Sequence, residues 1–122
     1  MRTEQLAVCR LPAGSAWPMP PGDGSFLSVT EGDGELSIVC PFDLVPAGAR
    51  VETGWRALTI VGPLEFSMVG VIGRLATALA VAGLSVFVIS TFDTDHILVK
   101  ADTLDQAVAT LRDDGVAVRL EA

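Results

Sequence analysis

A short acidic segment between two apolar stretches carries the side chains best suited to bind a charged ligand. Asp93 and Asp95 stand two residues apart there, next to His96, the one histidine of the chain. Two neighbouring carboxylates can serve as an acid and base pair, or can receive a cation or the polar end of a ligand. In a loop rich in threonine and aspartate, the same carboxylates can instead hydrogen-bond the local backbone. Both interpretations of the two aspartates stay open at this point.

A second candidate binding segment joins an apolar strand to a helix, at residues 62–69. Gly62 allows a ligand to approach the backbone closely, and free N–H groups at the start of the helix can accept a carboxylate. Glu65 is able to pair with an ammonium group, so this turn has the chemistry to bind both ends of an amino-acid backbone. The alternative is that Glu65 is a favourable acidic residue in the first helical turn.

The residue sets that most enzymes need are missing from the sequence. The chain has one histidine and no tyrosine, and it shows no Ser/His/Asp or Cys/His motif at a recognisable spacing. Cys9, Cys40 and His96 are isolated from one another in the sequence, which argues against a zinc site. We therefore expect a protein that is not an enzyme, with no catalytic residue, no metal and no cofactor.

Charge and hydropathy narrow the range of partners. Fifteen acidic residues against eight basic ones give a formal net charge of -7, which repels nucleic acids and anionic membrane surfaces. The longest apolar stretch, Leu75–Ile89, is interrupted by Gly83 and is shorter than the roughly 20 residues that a membrane-spanning helix needs. With a polar start and two cysteines in apolar strand-like contexts, we expect a cytoplasmic protein with reduced core thiols.

The second half of the chain predicts the order strand, helix, strand, strand, helix, strand. Ser67 is a candidate N-cap of the first helix, and Gly83 is its stop signal. Residues 103–106 have the sequence of a capping box at the start of the second helix. The predicted strands are Trp55–Val61, Leu84–Ser90, Ile97–Lys100 and Val116–Leu120. This order is typical of a ferredoxin-like α+β sandwich.

The first half of the chain predicts a smaller, β-rich unit. Strands are expected at Leu6–Leu11, Phe26–Thr30 and Glu35–Cys40, and the last two form a hairpin around a glycine-containing loop. The proline-rich stretch Trp17–Gly22 cannot be helical. We expect two units, at residues 1–52 and 53–122. The first is a reduced copy of the second, with a proline-rich loop in place of its first helix.

Four segments together carry a resemblance to a known family. They are Gly62–Glu65, Gly70–Leu75, Gly83–Val86 and, most specifically, Ile89–Val99 with the sequence ISTFDTDHILV. The chain resembles ACT-domain proteins, and within them the tandem-ACT group that is similar to bacterial relatives of the CASTOR amino-acid sensors. The resemblance covers nearly the whole chain and is strongest for residues 57–120. It implies a ferredoxin-like βαββαβ ACT sandwich, preceded by a degenerate ACT-like unit rich in β-structure.

The resemblance also implies a function and a set of binding residues. The function is that of an allosteric, regulatory module that binds an amino acid without catalysis, with the ligand held at an interface between ACT units. Ser37 and the backbone of Ile38 would meet the main-chain groups of the amino acid. The remaining expected binding residues lie in the turn, at the main-chain end (Gly62, Leu64, Glu65, Phe66), and in the acidic loop, at the side-chain end (Thr91, Phe92, Asp93, Asp95).

Three questions stay open from the sequence. The degenerate first unit leaves open whether the pocket forms within one chain or between the two chains of an expected homodimer. The ligand is open as well, since the two aspartates favour a cationic or hydroxylated side chain whereas Phe66 and Phe92 favour an apolar one. An alternative function is an oligomerisation or protein-interaction module with a vestigial pocket, whose sheet edge and apolar first helix form the interface.

Overall fold

The structure is a computed structural model, and it describes residues 5–20, 22–60 and 68–120, with positions 68–71 described for the backbone only. Its contacts divide the chain into two compact units, Met1–Trp55 (unit 1) and Arg56–Ala122 (unit 2). In chain order the strands are β1 (Leu6–Pro12), β2 (Ser28–Gly32), β3 (Glu35–Pro41), β4 (Arg50–Ile60), β5 (Val86–Ser90), β6 (Asp95–Lys100) and β7 (Val118–Leu120), and the helices are α1 (Met68–Val81) and α2 (Leu104–Asp113).

The sheet of unit 1 has the hydrogen-bonded order β2-β3-β1-β4, to which β4 contributes its first part. The predicted bounds of β1 and β3 are confirmed to within one residue. Strand β2 begins at Ser28, two residues later than predicted. The predicted hairpin between β2 and β3 is confirmed. Its two turn residues, Asp33 and Gly34, both have positive φ (56° and 80°), which is the geometry of a type I′ turn.

The core of unit 1 lies on one face of this sheet. Alternate residues of β1 and β3 are buried together, namely Ala7, Cys9, Leu11, Leu36, Ile38 and Cys40. Both cysteines are free and buried, which confirms the expected core thiols. Burial raises the pKa of the Cys9 thiol, and burial together with the neighbouring Cys9 raises the pKa of Cys40 to about 12. Both groups therefore stay uncharged and pack as small apolar side chains.

The proline-rich segment between β1 and β2 is held by one carboxylate. Residues 15–20 have no regular structure, because their prolines exclude a helix. Glu31 Oε2 accepts a hydrogen bond from the backbone N–H of Gly14 (2.8 Å), and Glu31 Oε1 accepts one from the indole N–H of Trp17 (3.1 Å). The Gly14 bond first, and then the Trp17 bond, lower the pKa of Glu31. The ionised form of Glu31 thus contributes to holding Gly14 and Trp17 in place.

In unit 2 the second part of β4 pairs with β7 and β6, and β6 pairs with β5, so the strand order is β7-β4-β6-β5. This order arises when two split βαβ halves interleave their strands, with the last strand beside the first. The predicted ferredoxin-like order βαββαβ is confirmed for this unit. Among the described residues, no helix is long and apolar enough to cross a membrane.

Both helices of unit 2 pack on one face of its sheet. The fully buried residues of this core are Leu58, Leu75, Leu79, Ile97, Val99, Ala107 and Leu111. Helix α1 ends where Gly83 was predicted to stop it. Gly83 has a φ of 75°, its N–H donates to Ala80 O (3.0 Å), and Leu84 N–H donates to Leu79 O (2.9 Å), which is the hydrogen-bond pattern of a glycine C-cap.

The predicted capping box of α2 is wrong. The Thr103 hydroxyl donates backwards to Lys100 O (3.1 Å) and makes no cap bond to the helix. A 3₁₀ turn over Ala101–Thr103 precedes α2, and its tighter winding takes Thr103 out of the capping geometry. The other predicted N-cap, Ser67, lies outside the described residues.

Four predicted strand starts are also wrong. Residues 50–54 are mostly polar and show no apolar alternation, yet they belong to β4 because they pair with β1. The register shifts between Leu6 and Val8, opposite Gly54, whose φ is 81°, as expected of a β-bulge. The observed starts are Arg50 rather than Trp55 for β4, Val86 rather than Leu84 for β5, Asp95 rather than Ile97 for β6, and Val118 rather than Val116 for β7.

Lowering the pH is expected to release the proline-rich segment. Because the pKa of Glu31 is lowered in the folded protein, its carboxylate stabilises the fold above the ordinary value of 4.5, and this contribution is lost as the pH falls through the lower folded value. In an NMR titration, the Gly14 amide and Trp17 indole signals should shift together with a midpoint below 4.5. Glu31→Gln cannot ionise and should show no such shift. A shared midpoint at or above the ordinary value would contradict the role of Glu31.

Candidate functional site

A four-residue loop at the end of the β5-β6 ladder forms the centre of the candidate site. The ladder runs from Val86 opposite Val99 to Ser90 opposite Asp95. Thr91 and Thr94 close the loop: Thr91 N–H and Thr91 Oγ1 both donate to Thr94 O (2.8 and 3.0 Å), and Thr94 N–H donates to Thr91 Oγ1 (3.1 Å). The hydrogen bonds that shape this loop therefore come from the two threonines, and the aspartates are not needed for it.

A cavity of about 460 Å³ opens beside this loop, and we call it the loop cavity. Its volume lies within the range of small-molecule pockets, roughly 300–1,000 Å³. The structure brings together here all four residues predicted for the side-chain end of the pocket. It adds three that the sequence did not indicate. The lining residues are Ile72 of α1 and Ser90, Thr91, Phe92, Asp93, Thr94 and Asp95.

Asp95 is the buried acid of the loop cavity. It is only 5% exposed, and its Oδ2 atom is buried and accepts no hydrogen bond from any described residue. Asp95 is the first residue of β6 and alternates with Ile97 and Val99, so it lies on the face that the helices cover. A buried carboxylate oxygen without a donor is unfavourable. A hydrogen-bond donor placed at this oxygen would relieve the penalty, and a cationic donor would make the stronger hydrogen bond.

The other lining residues support a cationic ligand with an apolar part. Asp93 adds a second carboxylate at the exposed side of the loop, and none of the described lining residues is basic. Phe92 is completely exposed at the loop tip, and Ile72, which lines the cavity from α1, is half-buried. An exposed phenylalanine beside a cavity offers an apolar surface, and its ring face can contact a cation.

The structure places the other predicted binding residues as follows. Ser37 is half-buried on β3 of unit 1, directly opposite Arg10 and Thr30 on the neighbouring strands. Ile38 is fully buried in the core of unit 1, on a strand that pairs along both of its edges. Their role in binding stays a prediction. Four predicted residues, Gly62, Leu64, Glu65 and Phe66, lie outside the described residues.

His96 does not join the loop cavity. It is the second residue of β6, half-buried, and alternation turns it to the sheet face opposite Asp95. The predicted strand Ile97–Lys100 left His96 in the loop; this is wrong, because β6 begins at Asp95, two residues before the predicted start. In the described part of the chain, no three histidine, cysteine, aspartate or glutamate residues form a group that could hold a metal ion.

Two family models match the sequence. Residues 50–113 match a model described as ACT domain. Residues 4–48 match a model described as an N-terminal domain. The first match covers the loop cavity and all the elements of unit 2 except β7.

Curated proteins similar to this chain carry the name cytosolic arginine sensor for mTORC1 subunit 1. The Pongo abelii protein is 33% identical over 120 residues, which cover 88% of this chain and 36% of that protein. The Homo sapiens protein is 36% identical over 88 residues, which cover 70% of this chain and 26% of that protein. The chain thus spans about a third, or less, of the length of these relatives.

Two bacterial proteins of known structure have a similar fold. A protein from Agobacterium tumefaciens is 37% identical, with a TM-score of 0.82 over 92% of this chain and 84% of that chain. The ligand-free regulatory subunit of aspartate kinase from Thermus thermophilus is 12% identical, with a TM-score of 0.64 over 93% of this chain and 92% of that chain. The second likeness shows the fold alone.

Replacing the buried carboxylate is expected to stabilise the ligand-free protein. Asp95→Asn removes a buried charge whose Oδ2 has no described donor, so the free energy of unfolding should rise by on the order of 1 kcal/mol. Urea denaturation of dialysed protein measures this change. Asp93→Asn makes the same substitution at an exposed position of the same loop and should change stability by less than about 0.5 kcal/mol. A clearly less stable Asp95→Asn protein would show that the carboxylate is already satisfied.

Proposed function

The chain belongs to the ACT domain family, and from that premise we propose that it is a regulatory protein that binds a free amino acid in the loop cavity and performs no catalysis of its own. The observation that carries this proposal is the buried Oδ2 of Asp95, which lines the cavity and accepts no hydrogen bond from the described residues. An amino acid with a cationic side chain supplies the donor that this oxygen lacks.

Arginine is the ligand that fits this site best. A guanidinium group offers several N–H donors in a planar fork and pairs with a carboxylate through two parallel hydrogen bonds. Its planar face can also stack on the exposed ring of Phe92. The curated relatives are named arginine sensors, which supports the same choice. Lysine, whose ammonium group is a compact point charge, is the second cationic candidate.

Regulation requires that the ligand binds one state of the protein better than another. The loop with the exposed Phe92 is the element that can differ between the two states, because closing it over the cavity would bury the ring against the ligand. Thr91 and Thr94 keep the shape of the loop during such a movement. We propose that Ser37, Ile38 and the turn residues Gly62, Leu64, Glu65 and Phe66 take the main-chain end of the amino acid, as the resemblance implies.

A second candidate function is a protein-interaction module with a vestigial pocket. It is favoured by the outer face of α1, where Val81 is 84% exposed and Gly73 and Ala80 are exposed as well. Arg74, the one charged residue of this helix, is engaged with Asp114 through a 2.7 Å bond to its carbonyl oxygen. Exposed apolar surface of this kind is typical of protein interfaces.

A thermal-shift screen against the twenty amino acids separates these two functions. Arginine at about one hundred times its Kd should stabilise the protein by roughly 2.7 kcal/mol, which is a shift of several degrees. Asp95→Asn should lose this shift while keeping its fold, and Asp93→Asn, with its exposed carboxylate, should keep most of it. A panel without any shift for the wild-type protein would reject the sensor and leave the interaction module.

The main-chain end of the ligand has its own test. Ser37→Ala should weaken arginine binding in isothermal titration calorimetry, by about fivefold to tenfold if one hydrogen bond of roughly 1 kcal/mol is lost. Ser28→Ala is the matched control, since Ser28 is also a half-buried serine of the unit 1 sheet. Equal affinity in the wild-type and Ser37→Ala proteins would remove Ser37 from the site and leave the role of Asp95 untouched.

A further inference from the structure

A second cavity of unit 2 lies along α2, on the side of β7 and β4, and we call it the α2 groove. It has a volume of about 410 Å³. Its apolar lining consists of Leu58, Leu104, Val108, Ala109, Val118 and Leu120. Leu120 is 42% exposed and Ala109 is exposed, so the groove leaves apolar surface in contact with water. None of the residues that line the loop cavity lines this groove.

Two opposite charges flank the apolar lining. Asp105 is in the first turn of α2 and Arg112 is in the last turn. Residues seven apart lie on the same face of a helix, two turns and about 10.5 Å apart along its axis. No hydrogen bond or ion pair joins the side chain of either residue to another described residue. Each charge is therefore available to a partner.

We propose that the α2 groove binds the α2 helix of a second copy of this chain, in antiparallel orientation. An antiparallel copy of the same helix presents the same two charges at the same spacing and in reverse order. Asp105 then faces Arg112 of the partner subunit, and Arg112 faces Asp105 of the partner subunit. This is the self-complementary pattern of a twofold interface, in which one patch pairs with itself.

The small residue at the centre of the groove fits this arrangement. The midpoint between Asp105 and Arg112 falls between Val108 and Ala109, so the twofold axis passes there. An alanine at that point lets two helices approach to the 8–10 Å that is usual for packed helices. A free amino acid fits less well, because its two charged backbone groups are much closer together than the two charges on the helix.

The length of α2 limits the expected affinity of the dimer. Ten residues of helix extend about 15 Å, and such a contact buries less surface than a standard interface of about 1,600 Å². The dimer should therefore be weak and should form in the micromolar to millimolar range of protein concentration. The proposal does not rest on arginine binding, since the two cavities share no lining residue.

Sedimentation equilibrium of the full chain over a wide concentration range tests the proposal. The wild-type protein should show a reversible monomer-dimer equilibrium. Asp105→Arg places two positive charges opposite each other at both ends of the interface, and Arg112→Asp places two negative ones there. Each substitution should weaken the dimer by about tenfold or more. Asp113→Arg makes the same charge change on α2 outside the groove lining and should leave the dimer within about threefold of wild type.

Mixing the two variants provides the decisive result. Asp105→Arg and Arg112→Asp proteins should each be mainly monomeric alone, yet an equimolar mixture should form a heterodimer, because each variant supplies the charge that the other needs. Asp105 in the first turn and Arg112 in the last turn also interact favourably with the dipole of α2, so each substitution lowers the stability of the helix. Mixing the two variants cannot restore that stability, so heterodimer formation must come from the paired charges. A wild-type protein that is monomeric throughout, a dimer indifferent to Asp105→Arg, or a mixture without heterodimer would each overturn the proposal.

Discussion

The pairing of Ser90 with Asp95 at the end of the β5-β6 ladder is the constraint on which the candidate site depends. Because side chains alternate along a strand, this register puts Asp95 on the side of Ile97 and Val99, which the two helices cover. A slip of one residue would turn Asp95 to the other face and bring His96 into the cavity. The threonine bonds that close the loop hold this register in place.

The same register places a carboxylate oxygen where it is unfavourable in the free protein. One buried polar atom without a partner costs about 1–3 kcal/mol, whereas each fully buried leucine or isoleucine of the core contributes about 1.5–3 kcal/mol. The core of unit 2 contains several such residues, so it can tolerate one unsatisfied oxygen. A ligand that supplied the missing donor would remove this penalty, and the free energy recovered would add to its affinity. Under the proposed function, the unsatisfied oxygen that lowers the stability of the free protein would favour ligands with a hydrogen-bond donor at that point.

The loop from Thr91 to Asp95 shows how far the sequence leads and where it stops. Its residue types left open whether the aspartates bind a ligand or the local backbone, and the resemblance to ACT domains implied binding. The structure groups these residues around one cavity. The start of β6 was not predicted, because Asp95 and His96 are weak strand formers and only their pairing with β5 makes them a strand. Ile72 was missed for a different reason: its helical spacing is the same whether it packs in a core or lines a cavity wall.

Local motifs failed where tertiary contacts decide the outcome. The capping-box sequence at Thr103 does not cap α2 because a 3₁₀ turn precedes the helix, and the polar start of β4 is a strand only because it pairs with β1.

The core of unit 2 connects the two cavities. Ile72 lines the loop cavity and Leu58 lines the α2 groove, and both pack in the same cluster. Because close-packed cores transmit small shifts, a ligand bound as proposed in the loop cavity would alter the groove if it moved α1. If it does, the coupling must be reciprocal, and a copy bound at α2 changes the affinity for the ligand by the same factor.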